Sequence, residues 1–340
     1  MNIEKYLEDI NSCRFCFMCR HLSATAQATG SEAYTPRGCA LIADSIRMDK
    51  KALDNADFIQ TIFRADLSGA CRKNCNGQYD ANKRLVDEIG LKVALRQDIV
   101  AAGKAPAEVV ALAGKMKKMS VKVAGKGSVL YYEQGCVQAT APEVIKAFQK
   151  AVKDAATITG PDGLALHVMG YEKDALAQRK AFVDAVKASG AKTLVVSTPA
   201  AYWWLKPVVK SAKVVLSSEY LLGLKPKKGK TVKAAFIESD FLNKYPETRS
   251  DAPRKLFAAL GYALEDFGTT EEESYTCGEG SVVTGFLYPE LAAKMAARVA
   301  HLAEKFGVKT LAVASPYTKA VLAKALPGVK VVTPEEAFAR

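Results

Sequence analysis

Apolar residues recur three and four positions apart through the first third of the chain. The segments Glu4 to Ile10, Arg37 to Met48 and Asn82 to Ala101 all follow this spacing with few β-branched runs, which predicts helices. Glycine and polar residues gather between them, around Thr25 to Thr35 and at Gly77. A last helix is predicted over Pro106 to Lys118. Residues 1–120 therefore read as one helical domain. From residue 128 the pattern changes to strand–helix alternation. Ser128 to Tyr132 is a short apolar run, Pro142 to Ala155 an amphipathic helix, Leu164 to Met169 a strand-like run and Lys173 to Ser189 a helix. Thr193 to Ser197 is again a strand. That order predicts a parallel α/β unit. His167 falls in one of the apolar runs and reads as a satisfied core residue. Trp203 and Trp204 read as packing residues, with partner docking as the alternative.

The α/β pattern then repeats. Lys192-Thr-Leu-Val-Val-Ser-Thr-Pro199 matches Lys309-Thr-Leu-Ala-Val-Ala-Ser-Pro316 without a gap. The same spacing pairs Tyr171 with Tyr288, Gly190 with Gly307 and Glu219 with Glu336. At a shorter spacing, Val129 to Cys136 matches Ala234 to Phe241. Repetition of a supersecondary unit divides the remainder into two related halves, 128–223 and 232–340. The expected fold class is α+β multidomain.

The chain has 340 residues, enough for several cores, and its 49% hydrophobic and 25% charged content is ordinary for a globular protein. No apolar run approaches the roughly 18 residues of a membrane helix. The first residues carry acidic side chains and no long apolar core, unlike a secretory signal. A cytoplasmic location is expected, with the inner face of the membrane as an alternative. The formal charge of +12 calls for an acidic partner or an anionic membrane surface. Nucleic acid is not expected, because the lysines are dispersed and no recognised motif is present. Two denser patches, Lys115 to Lys126 and Lys225 to Lys233, fall at the predicted domain boundaries and read most simply as solvated linkers. Gly223 to Thr231 imitates a phosphate-binding loop, but it has one residue too many between its glycines and precedes a strand.

Candidate chemistry lies in the cysteines. Cys13-x2-Cys16-x2-Cys19 is answered downstream by Cys71-x3-Cys75. In bacterial ferredoxins the run C-x2-C-x2-C-x3-C supplies three ligands to one cluster and a fourth to another. Ser23 stands where the first run would have its fourth cysteine, and Ala65 and Ser68 stand at the first two positions of the second run. One 4Fe–4S cluster survives this accounting, on Cys13, Cys16, Cys19 and Cys75. Cys39 and Cys71 are alternative fourth ligands. A zinc site is the competing reading, although zinc sites usually take two separated pairs. A disulfide framework does not suit eight cysteines in 340 residues. Phe15, Phe17 and Met18, between the ligands, are expected to shield the cluster. Arg14, Arg20, His21, Arg72 and Lys73 have two readings, cations that tune its potential or plain solvated residues of a helix surface.

On these residues the chain resembles the cysteine-rich (CCG) domain iron–sulfur proteins. These include the heterodisulfide reductases and the iron–sulfur subunits of glycolate oxidase, lactate-utilisation and anaerobic glycerol-3-phosphate dehydrogenase systems. Tyr132-Glu-Gln-Gly-Cys136 resembles the family's Pro-Gly-Cys, and Thr35-Pro-Arg-Gly38 its Ser-Pro-Arg-Gly. The resemblance implies a helical ferredoxin-like domain followed by two CCG-type halves. The departures are specific. The family's Cys-Cys-Gly loop is Thr276-Cys277-Gly278 in one half and Gly160-Pro-Asp-Gly163 in the other. Its Cys-Pro-x-Cys loops are Thr198 to Ala201 and Ser315 to Thr318, and Phe241 replaces a strand-end cysteine. Of the C-terminal ligands only Cys136 and Cys277 remain. Three readings of them stand: buried relics, a redox-active pair, or ligands of a shared metal, with Glu238 and Asp240 in reach.

The implied function is that of an electron-transfer subunit carrying a single 4Fe–4S cluster and no flavin or nucleotide. Its implied donor is an FAD-dependent 2-hydroxy-acid dehydrogenase of the glycolate or D-lactate type. The implied acceptor is a quinone, an electron-transfer flavoprotein or another iron–sulfur protein. No catalytic residue is expected in this chain. Two alternatives remain: a docking scaffold with a structural or sensing cluster, and a thiol/disulfide reductase using Cys136 and Cys277.

Overall fold

The computed structural model describes residues 1–72, 75 and 86–340. They form two compact units. The first comprises Met1–Lys118, Ala165–Leu176 and Gly278–Met295; the second comprises Met119–Leu164, Ala177–Cys277 and Ala296–Arg340. The fold is mixed α/β, and the sheet cores are parallel.

In the first unit the helix Glu88–Ala101 is buried on nearly every side. Apolar Leu91, Val93, Leu95 and Ile99 are interleaved with charged Glu88, Lys92, Arg96 and Asp98, all of them buried. Asp87 starts this helix by accepting the Gly90 N–H at 3.0 Å. The predicted start at Asn82 lies outside the described residues. Helices Leu7–Cys13, Pro36–Met48 and Ala56–Arg64 pack against it. Arg96 closes the C-terminal end of Ala56–Arg64. Its guanidinium donates to the carbonyls of Ile62 at 3.1 Å and Ala65 at 2.7 Å, and to Val168 at 2.8 Å. The segment bearing Val168 approaches so closely that a Cβ at Gly170 would stand 2.6 Å from the Arg96 carbonyl oxygen. At Gly280 a Cβ would meet the Leu67 carbonyl oxygen at 2.3 Å, and the neighbouring Ser281 accepts the Leu67 N–H at 3.1 Å. Helices Ala24–Thr29 and Ala56–Arg64 lie where no helix was expected. Both are short, and each follows a polar residue, Ser23 or Asn55.

The second unit holds two sheets. Strands β1 (Lys122–Ala124), β2 (Val129–Tyr132), β3 (Ala156–Thr159), β4 (Thr193–Val196) and β5 (Lys213–Leu216) run in the order β1-β3-β2-β4-β5. Only β1 is antiparallel. Strands β6 (Val232–Ile237), β7 (Tyr262–Glu265), β8 (Thr310–Val313) and β9 (Lys330–Val332) form the second, all parallel, in the order β7-β6-β8-β9. With β1 set aside the two orders are the same. The repeated Lys-Thr-Leu segments become β4 and β8, and Leu194 pairs with Val214 as Leu311 pairs with Val331. Parallel strands covered on both faces need continuous apolar runs, and Leu194, Val195 and Val196 are wholly buried.

Two expectations need correction. The run Leu164 to Met169 is helical over Leu164–Val168. Five apolar residues do not distinguish strand from helix, and here the Asp162 carboxylate accepts the Leu164 N–H at 3.0 Å and opens a helical turn. The strand before it is β3, a segment the sequence pattern did not single out. In addition, Lys122 lies in β1 and is no part of a solvated linker. Lys225 to Lys230 do lie in an exposed loop, which leads into β6 and opens no helix. Among the described residues no helix is long and apolar enough to cross a membrane.

Candidate functional site

The first unit gathers thiols. Cys13 ends the helix Leu7–Cys13, and the chain continues in successive turns. The Cys16 N–H donates to the Cys13 carbonyl at 3.1 Å, Arg20 to Phe17 at 3.1 Å and Ser23 to Cys19 at 3.2 Å. These turns bury Cys13 and Cys19 and leave Cys16 half-buried at the rim. They also turn Phe15, Phe17 and Met18 outward, 76%, 67% and 44% exposed. The expected apolar shield is therefore corrected: the cysteines occupy the inward positions, and the residues between them face solvent.

Cys19 is the best supported of the set. Its sulfur accepts the Arg37 backbone N–H. That donor is one of the free N–H groups opening the helix Pro36–Met48, where partial positive charge favours a thiolate. Thr35-Pro36-Arg37-Gly38 thereby gains a physical account. Thr35 caps the helix by accepting the Gly38 N–H at 3.1 Å, and Pro36 begins it. Arg37 donates through Nε to the Arg14 carbonyl at 3.1 Å. Gly38 clears the Ala33 carbonyl oxygen, which a Cβ would meet at 2.3 Å.

Cys71 is buried, with its sulfur 3.8 Å from the Cys19 carbonyl oxygen. A hydrogen bond between the two thiols holds Cys19 below the usual thiol range and pushes Cys71 well above it. Cys13 is also pushed up, first by burial and then by the charges of Cys19, Glu88 and Cys75. Cys75 is half-buried. Cys39, wholly buried in Pro36–Met48, is pushed up to about 11 by burial. The structure thus brings Cys13, Cys19, Cys71 and Cys75 into one electrostatic neighbourhood, with Cys39 behind them. None of the eight cysteines forms a disulfide.

The cation beside these thiols is one the sequence did not single out. Lys92 is 2% exposed, and its ammonium lies 2.5 Å from Glu88 and 2.9 Å from the Asp66 carbonyl oxygen. Its charge favours the thiolates of Cys13, Cys19, Cys39 and Cys71. The expected tuning residues are engaged at the surface instead: Arg14 with Asp44, Arg20 with Glu32 at 2.9 Å, and Arg72 with Asp87 at 3.5 Å. Lys73 lies outside the described residues. Glu88, Lys92 and Arg96 stand four residues apart on one stripe of this helix, but that spacing alone reads as a solvated face.

Among the described residues, no three His, Cys, Asp or Glu side chains converge closely enough to hold a single metal ion. A cubane binds each thiolate through a separate iron, so its donors do not meet at one point. The donor set here is soft sulfur throughout, mostly buried, with a helix N-terminus and an ammonium set against its negative charge. That chemistry fits an iron–sulfur cluster.

The remaining two thiols, Cys136 and Cys277, belong to the second unit. Cys136 packs against the apolar core of the first sheet. Burial and the nearby Asp162 push its thiol up to about 12. Cys277 belongs to the core of the second sheet and is 1% exposed. Both environments suit small apolar side chains. The carboxylates suggested as co-ligands are engaged: Glu238 pairs with Arg254, and Asp240 with Lys244 at 2.6 Å and Thr276 at 2.5 Å. His167, in the first unit, lies 2.5 Å from Glu172.

No family model and no curated protein matches the chain. Among solved structures, it is similar to the glutamate racemase isoform RacE1 of Bacillus anthracis, at 15% identity and a TM-score of 0.32 over 62% of this chain and 77% of that one. It is also similar to an aspartate racemase homologue from Pyrococcus horikoshii OT3, at 13% identity and a TM-score of 0.29 over 62% of this chain and 95% of that one.

Proposed function

We propose that the chain is an iron–sulfur electron carrier, built as a helical ferredoxin-like domain followed by two degenerate CCG-type halves. One observation supports this reading above the others. Cys13, Cys19, Cys71 and Cys75, drawn from two distant stretches of sequence, share one largely buried neighbourhood with an ammonium group. A 4Fe–4S cluster held there takes up and releases single electrons. Around it, the turns of residues 13–23 present the sulfurs, the Arg37 N–H and Lys92 offset negative charge, and burial excludes water. Three ligands are Cys13, Cys19 and Cys75, and Cys16 at the rim is the fourth. Cys71, so close to Cys19, is the substitute. The proposed donor is a flavoprotein dehydrogenase of the 2-hydroxy-acid type, and the acceptor is a quinone or a second redox protein. The packing of Cys136 against the core of the first sheet, where burial pushes its thiol up, weighs against the thiol reductase alternative.

Anaerobically prepared protein should show broad visible absorption and, once reduced, a low-temperature EPR signal. Cys13→Ser and Cys19→Ser should abolish both, whereas Cys136→Ala and Cys277→Ala should leave both unchanged. Loss of the signal in the Cys136 or Cys277 variant, with the Cys13 variant unaffected, would place the metal elsewhere and end this reading.

A further inference from the structure

We infer that the turn bearing Phe15, Phe17 and Met18 is the docking face for an acidic electron-donor protein; this rests on the cluster reading above. Apolar side chains this exposed, three of them within four residues, exceed the scattered singles of an ordinary surface and mark an interaction site. They belong to the same turn that presents the sulfurs. Cys16, the half-buried rim thiol, lies between Phe15 and Phe17 in that turn. Aromatic residues and methionine at the centre of a patch, with polar residues around it, make up the usual anatomy of a recognition surface.

Charge complementarity identifies the occupant. The guanidinium of Arg14 lies over the Phe15 ring at 4.8 Å, Arg20 is 65% exposed and Arg37 37%. Glu32 is shared between Arg20 and Arg37, so arginines outnumber the acids they pair with. A basic rim around an apolar centre matches a partner whose own face is apolar within and acidic at its edge. An anionic membrane matches the charge alone, whereas a redox protein also has a reason to sit beside the Cys16 rim thiol. At the docked face one electron leaves the reduced partner and enters the site, and no bond is made or broken.

The probe is flavodoxin hydroquinone, a small acidic one-electron donor, set against photoreduced deazaflavin, a neutral small molecule that needs no docking face. In stopped flow, flavodoxin should reduce the wild-type chromophore at a rate that falls steeply between about 50 and 500 mM salt. Phe15→Ser/Phe17→Ser should slow that reaction by about tenfold or more and leave the deazaflavin reaction unchanged. Should the double variant load poorly, Arg20→Glu gives the same reading: a slower flavodoxin reaction with a weaker salt dependence. Equal flavodoxin rates in wild type and variants would overturn the proposal, as would a wild-type chromophore that deazaflavin reduces and flavodoxin does not. Sedimentation with phosphatidylcholine–phosphatidylglycerol vesicles, lost in the Phe variant while flavodoxin reduction persists, would overturn it in favour of a membrane face. Absence of any reducible chromophore would instead remove the cluster reading beneath it.

Discussion

At the scale of residues, the thiols and the buried ammonium make the site. The cysteine spacing was legible because it stands in the sequence itself, and the proposed cluster would impose it directly. Lys92 was not, since a lysine on a helix is read as solvated unless something places it inside. Phe15, Phe17 and Met18 were read the wrong way round for a similar reason: composition says that they are apolar, and only the turns determine which way they face. The Lys92–Glu88 pair yields a test with a sign. Removing a buried positive charge near the cluster disfavours the reduced state, and removing the negative charge favours it. Lys92→Met should therefore lower the midpoint potential and Glu88→Gln raise it, each by on the order of 1–2 kcal/mol, roughly 40–90 mV for one electron. The double variant should fall between them. A redox titration followed by EPR measures all three, and shifts of the same sign would assign the pair a purely structural role.

At the scale of elements, β2, β4 and β6 were legible as short apolar runs, and β8 through its match to β4, whereas β1, β3, β5, β7 and β9 were not singled out. The element read wrongly, Leu164–Val168, turns on one side chain. Asp162 opens it, and burial pushes that carboxyl up to about 6. A carboxyl whose folded pKa is raised stabilises the fold fully below its unfolded value near 4 and loses that contribution as pH rises through about 6. Stability should therefore decline between about pH 4 and pH 7, by up to about 3 kcal/mol from this group. Asp162→Asn should flatten the profile in that window and be the more stable protein at pH 8. Urea midpoints across the range give the answer, and identical profiles for the two proteins would show that Asp162 carries no such penalty.

At the scale of the whole molecule, the repeat was legible and its structural consequence was only partly so. Identities on one register implied two related halves, and two sheets of one strand order are what such a repeat builds. Sequence order did not reveal that Ala165–Leu176 and Gly278–Met295 group with the helical unit, because the evidence for it lies in contacts such as Gly170 against Arg96 and Gly280 against Leu67. Both glycines are needed for clearance, a property no periodicity reports. The formal charge of +12 pointed to an acidic partner without a place for it to dock. The arginines around the cysteine turn are where we propose that it docks, nearer to the thiols in sequence than the exposed lysine loop before β6. The central claim remains that the thiols of the first unit hold one cluster. Iron and acid-labile sulfide analysis of anaerobically purified protein tests it most directly. The account predicts about four iron atoms and four sulfides per chain, lost in Cys13→Ser; stoichiometric zinc without sulfide would contradict it.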